Sequence, residues 1–142
     1  MRILGIDFGD SRTGIAVSDP LGWTAQGLET FKGGMGEAAM HIAGLARQYE
    51  AKAVVVGYPL NMDGSKGPRA ERTDSFIEAL GGNIGDGSIE LVKWDERLTS
   101  AEAARALKAS GGRPTSRATR ESGKLDALAA TILLQSYLDR GK

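Results

Sequence analysis

Residues 2–19, RILGIDFGDSRTGIAVSD, decide how the rest of the chain is read. The apolar run Ile3-Leu4-Gly5-Ile6 is interrupted by Asp7 and resumes at Phe8. Such a run reads as a strand covered on both faces, where an uncompensated carboxylate is costly. Asp10-Ser11-Arg12 is turn chemistry, and residues 13–18 return as a second strand, so the stretch forms a hairpin with an acid inside its first arm. Gly5 and Gly9 flank that acid and leave room for close approach beside it. Asp7 is thus a candidate metal ligand or general base, the alternative being a structural acid held by backbone amides or an arginine.

Outward from the hairpin, Asp19-Pro20-Leu21-Gly22 marks a turn and residues 25–31 a third strand. Gly33, Gly34 and Gly36 break the pattern. Residues 35–49 then carry Met40, Ile42, Leu45, Ala46 and Tyr49 at helical spacing. The β-branched run at 53–58 follows this helix and reads as a parallel core strand. Residues 59–68, PLNMDGSKGP, predict a long mobile loop, and residues 69–80 a helix stopped by Gly81-Gly82. A fifth strand spans 89–94. Thr99 with Glu102 matches a capping box, opening a helix that ends before Gly111-Gly112. A basic loop leads to a last helix from Ser122 to about Leu138. The order βββαβαβαα predicts one α/β domain over residues 1–142, a mixed five-stranded sheet with helices on both faces.

Composition limits the chemistry. The chain has 142 residues, enough to bury roughly 70% of its unfolded surface in one domain. Without cysteine there are no disulfides or thiolate metal sites, and the single histidine, His41, argues against zinc centres and histidine triads. No apolar run approaches the ~18 residues of a membrane span, and the opening reads as a strand rather than a leader, which predicts cytoplasmic residence. Net charge is zero, so bulk charge does not make the chain a polyanion binder. Between Arg97 and Lys124, however, Arg97, Arg105, Lys108, Arg113, Arg117, Arg120 and Lys124 face only Glu102 and Glu121. That segment is locally cationic.

Two further acids stand where acids are unexpected. Asp95-Glu96-Arg97 follows the fifth strand directly, and ligands in open α/β sheets gather beyond the carboxyl ends of the strands. The last helix is apolar nearly all round and so reads as buried. Asp126 on it has Ala129, Ala130 and Leu133 as its i+3, i+4 and i+7 neighbours, which puts it on the core-facing stripe. Carboxylates from a strand, a strand end and a helix could converge around a cation. Oxygen ligands without histidine or cysteine favour Mg2+ or Mn2+, and two such ions can activate water for phosphoryl displacement.

With these residues in place the chain resembles the YqgF (RuvX) family of nucleases in the ribonuclease H-like superfamily. The matching stretches are ILGIDFGDSRTGIAVSDPLGWTAQGLET, VVVGYPLNMDGSKGPRAER, WDERLTSAEA and KLDALAATILLQSYLD, in that order over nearly the whole chain. The resemblance implies a ribonuclease H-like fold with strand order 3-2-1-4-5 and metal-dependent hydrolysis of structured nucleic acid. It associates the chain with 5′-end maturation of the 16S ribosomal RNA precursor, in ribosome biogenesis, or with Holliday-junction resolution in DNA recombination. Asp7, Glu96 and Asp126 match the family's acids and are expected to be both catalytic and metal-binding. Arg97, Arg113, Arg117, Arg120 and Lys124 are expected to bind substrate phosphates, with Asn61 in a mobile flap opposite. A junction resolvase would need two sites and therefore a homodimer.

The pattern departs from the superfamily at two points: the last helix has no fourth acid to match RuvC, and many relatives differ in the place of the second acid. They carry the second acid at the end of the fourth strand, where this chain has Gly57-Tyr58-Pro59. Glu96 must instead reach from the fifth strand, two strand spacings or roughly 10 Å from the first. Two rival readings remain. A sugar-kinase or actin-like nucleotide binder shares the Asp7 hairpin but needs two such domains. A non-catalytic RNA-binding assembly factor would keep the fold and use only the basic segment.

Overall fold

The computed structural model describes residues 2–85, 87–98 and 122–140, the side chains of 98 and 122–126 excepted. Its elements are β1 (Arg2–Asp7), β2 (Arg12–Ser18), β3 (Ala25–Lys32), α1 (Met35–Gln48), β4 (Ala51–Tyr58), α2 (Pro68–Ile84), β5 (Glu90–Asp95), a single 3-10 turn over Glu96–Leu98, and α3 (Ser122–Asp139). The sheet has five strands in the order β3-β2-β1-β4-β5. β1 pairs antiparallel with β2 and parallel with β4, and β4 pairs parallel with β5. The order implied by the resemblance is the order observed. The helix expected between Thr99 and Gly111 lies outside the described residues.

Strand alternation divides the core into two layers. Leu4, Ile6, Ile15, Val17, Val54 and Val56 face α1 and α2, where they meet Ile42, Phe76 and Leu80. Ile3, Ala16, Ala53 and Val55 face α3 and meet Ala130, Leu134, Tyr137 and Leu138. Covering both faces makes β1 and β4 read as continuous apolar runs rather than alternating ones. α3 sits unusually close to the sheet. A Cβ at Gly5 would stand 2.6 Å from Cβ of Leu134 and 3.1 Å from the carbonyl oxygen of Ala130. Gly27 on β3 likewise faces Thr131 and Ala127.

Two expectations need correction. α2 does not stop at Gly81-Gly82 but continues to Ile84, with Gly85 N–H donating to the Gly81 carbonyl at 2.9 Å. Leu80 is fully buried and Ile84 packs one turn on against the same core, so burial outweighs the roughly 1 kcal/mol cost of each helical glycine. The second correction concerns α3, which is buried on one face rather than all round. Leu128 is exposed, while Ala129, Ala130, Leu133 and Leu134 are buried.

Candidate active site

Asp7 is the last residue of β1, half-buried, at the carboxyl end of the central strand. Its neighbours across the sheet carry no side chains. On the β2 side it pairs with Gly14. On the β4 side the register Ile6 to Val56 brings it level with Gly57. Gly5 and Gly9 were visible in the sequence as local neighbours. The two cross-strand glycines become neighbours only through pairing, and no local pattern announces them.

Glu96 fills the space that Gly57 leaves. It follows β5 directly, since Trp94 pairs with Gly57 and Asp95 with Tyr58. Its side chain folds back over β4 and is 7% exposed. A Cβ at position 57 would lie 2.6 Å from Oε1 and 3.2 Å from Cγ of Glu96, and 3.2 Å from Cδ1 of Leu133. Gly57 shares the α3 face of the sheet with Asp7, because in-register parallel neighbours point the same way. The Glu96 carboxylate therefore overlies the strand next to β1, about one strand spacing or ~4.8 Å from it. The two-strand gap inferred from the sequence closes by this route.

Position 126 belongs to α3, one turn ahead of Ala130, whose carbonyl packs on Gly5. Ala129, Ala130 and Leu133 are each at most 1% exposed, so the stripe that 126 continues is the core-facing one. The Asp126 side chain lies outside the described residues. Among the described residues no group of three acids or imidazoles forms a metal-binding set. The two described acids, Asp7 and Glu96, offer only oxygen donors on one face of one sheet end, a donor set that suits a hard divalent cation.

Asp95 and Arg97 bracket Glu96 and are engaged with each other. Arg97 donates from Nε at 3.1 Å to both carboxylate oxygens of Asp95 and from Nη2 at 2.8 Å, and its backbone N–H donates to Oδ1 at 2.9 Å. The guanidinium holds the Asp95 carboxyl below the usual carboxylate range, against the opposing effect of burial. Arg97 Nη1 also donates to the Met62 carbonyl at 3.3 Å. The side chain expected to grip phosphate thus ties the 59–67 loop to the end of β5, with part of its donor fork still available.

That loop has internal structure where the sequence suggested a mobile flap. Asp63 accepts from the backbone and hydroxyl of Ser65 at 2.9 and 2.6 Å. Asn61 donates through Nδ2 to the Ser65 hydroxyl at 3.0 Å, and its backbone bonds Ser65 and Gly64. Asn61 therefore shapes the loop. The Asp-x-Ser pattern is a recognisable Asx-type turn and could have been read from the sequence. Of the remaining expected phosphate contacts, Arg113, Arg117 and Arg120 lie outside the described residues, and Lys124 is described only as a position on α3.

A mixed five-stranded sheet in the order 3-2-1-4-5, with a helix packed on glycines of one face, is the fold of the ribonuclease H-like class. Solved structures share this fold: Thermus thermophilus RuvC bound to a Holliday junction superposes with TM-score 0.62 at 20% identity, covering 99% of this chain and 96% of RuvC. The fowlpox virus Holliday junction resolvase does so with TM-score 0.56 at 15% identity, covering 98% and 99%.

Within that class the chain belongs to the RuvX family, whose model, described as Holliday junction resolvase, matches residues 1–140. A protein of Ruminiclostridium cellulolyticum carrying the name "Putative pre-16S rRNA nuclease" is 46% identical over 99% of this chain and 95% of its own length. Proteins of the same name from Acetivibrio thermocellus and Halalkalibacterium halodurans are each 47% identical, covering 100% and 99% of this chain and 99% and 97% of their own.

Proposed function

We propose that this chain is a metal-dependent nuclease, one domain over residues 1–142, that hydrolyses phosphodiester bonds of structured nucleic acid during 5′-end maturation of the 16S ribosomal RNA precursor. The observation that carries the reading is the Glu96 carboxylate buried over Gly57, on the strand beside Asp7. A largely buried carboxylate lying over the strand beside a second acid suits a cation-binding role.

Asp7, Glu96 and Asp126 would hold Mg2+ or Mn2+, as one ion or two. Bound there, the metal supplies an activated water and neutralises charge developing on the phosphate. The chain itself contributes rigidity: Asp7 is fixed by its strand, and Glu96 fills the recess at Gly57. The substrate RNA would be held through Arg113, Arg117, Arg120 and Lys124 and the free donors of Arg97. The names of the relatives support RNA as substrate, and no helix among the described residues is long and apolar enough to cross a membrane, in keeping with work in the cytoplasm.

A second reading, Holliday-junction resolution by a homodimer, is favoured by the description of the family model and by the shared fold with RuvC. One experiment addresses both. Purified protein with Mn2+ is given a 5′-extended 16S precursor RNA and a four-way DNA junction, with Asp7→Asn as control. Cleavage of the RNA alone by wild type supports maturation, and cleavage of the junction supports resolution. Binding without cleavage of either would overturn the nuclease reading in favour of an assembly factor.

A further inference from the structure

A cavity of about 80 Å3 opens between the β1–β2 turn and the start of α2, with Phe8, Gly9, Asp10, Pro59, Arg69 and Arg72 in its walls. Phe8 and Pro59 directly follow the last residues of β1 and β4, so the cavity lies at the same end of the sheet as Asp7 and Gly57. Strand alternation puts Phe8 on the face opposite Asp7, where its ring stacks on Phe76 at 4.5 Å. The acids and this cavity therefore flank the end of β1 from its two sides.

Its walls are cationic. Arg72 Nη1 pairs with Oδ2 of Asp10 at 2.6 Å, neutralising the one acid present. Arg69 is exposed, and its guanidinium makes no hydrogen bond or ion pair among the described residues. The backbone beneath it is fixed: Ala70 and Thr73 are buried, and the Thr73 hydroxyl donates to the Arg69 carbonyl at 2.9 Å. The space falls far below the ~300 Å3 of a small-molecule site and admits one compact group. A guanidinium fork over a small, positively charged recess matches a phosphate oxygen pair.

We propose that Arg69, with Arg72 beside it, holds a backbone phosphate of the nucleic-acid substrate flanking the one attacked at Asp7 and Glu96. The proposal rests on the nuclease reading for the identity of the substrate. A strand laid across the end of the sheet would meet the acids on one side of β1 and Arg69 on the other, fixing the polarity with which it enters.

The test is equilibrium binding of a labelled precursor RNA in EDTA, so that no cleavage intervenes, at about 50 to 200 mM salt. Wild type, Arg69→Ala, Arg69→Lys and Lys52→Ala, an exposed residue at the opposite end of β4, are compared after their melts are shown to coincide. Arg69→Ala is expected to reduce the slope of log K against log salt by roughly 0.7 to 0.9 and to weaken binding several-fold at low salt. Arg69→Lys and Lys52→Ala should keep the slope. An unchanged slope in Arg69→Ala, with wild type binding normally, overturns the proposal and leaves the nuclease reading standing. Absence of binding by wild type removes both. Loss of inorganic phosphate binding in Arg69→Ala with RNA binding intact would make the cavity a small-anion site and also overturn it.

Discussion

The carboxylate of Glu96 occupies the volume that Gly57 gives up: a side-chain carbon at position 57 would stand 2.6 Å from Oε1, closer than non-bonded atoms approach. Gly57→Ala must therefore displace the acid while adding one methyl group to a strand end. Misplacing a reacting group by about 1 Å can cost about 100-fold in rate. The expected outcome is a folded protein with kcat reduced about that much and Mn2+ binding weakened. A variant with wild-type turnover would show that Glu96 does not need its position.

Metal binding should be visible without any substrate. Ligands that bind only the folded state stabilise it by about 2.7 kcal/mol at a hundredfold excess over Kd. Mn2+ should raise the melting temperature of wild type and do far less for Asp7→Asn or Asp126→Asn, both of which should also lose cleavage. Equal metal responses in all three proteins would remove these residues from the ligand set.

Acid sensitivity should trace in part to Asp74. Lys93 Nζ stands 2.9 Å from Oδ1, the Tyr58 hydroxyl donates to Oδ2 at 2.8 Å, and Lys66 lies at 3.4 Å. Lys93 first and Tyr58 next hold its pKa down to about 2. The folded protein thus binds this proton less tightly than the unfolded chain. The stabilisation is complete above pH ~4 and is lost as pH falls from there toward 2. Asp74→Asn should flatten that part of the stability profile and cost about 1 kcal/mol or less near neutrality, since exposed pairs are screened. A melt series from pH 2 to about pH 7 reads both effects.

Gly44 lies exposed inside α1, and a Cβ there would meet nothing within 4 Å. Gly44→Ala should stabilise the protein by about 0.5–1 kcal/mol through reduced backbone entropy of the unfolded chain. It should leave cleavage unchanged. A lower melting temperature would contradict the open helix surface at this position.

Much of the fold is legible in the sequence. Asp7 stood out because one charge interrupts a buried run, and position 126 because its helical neighbours are alanine and leucine. What stayed hidden depended on pairing between distant segments. Gly57 ends a β-branched run and looks like an ordinary terminator, since nothing near it announces that Glu96 will fold over it. Arg97 read as one more cation in a basic stretch, while its geometry is set by an acid two residues earlier and a carbonyl in another loop. Gly81-Gly82 reads as a stop on local propensity, and the burial of Leu80 with the packing of Ile84 overrides it.

The glycines under α3 have a consequence beyond close packing. Gly5 and Gly27 form two notches in the sheet, and Ala130, Leu134, Ala127 and Thr131 seat in them, so the helix has one axial setting and one rotation. The strands thereby act as a gauge for position 126, which directly precedes the seated Ala127 and lies one turn from the seated Ala130. Removing residue 128 or 129 would keep Ala130, Thr131 and Leu134 seated and swing Ala127 and position 126 by about 100° around the helix. Position 126 is thus indexed by two glycines on two different strands.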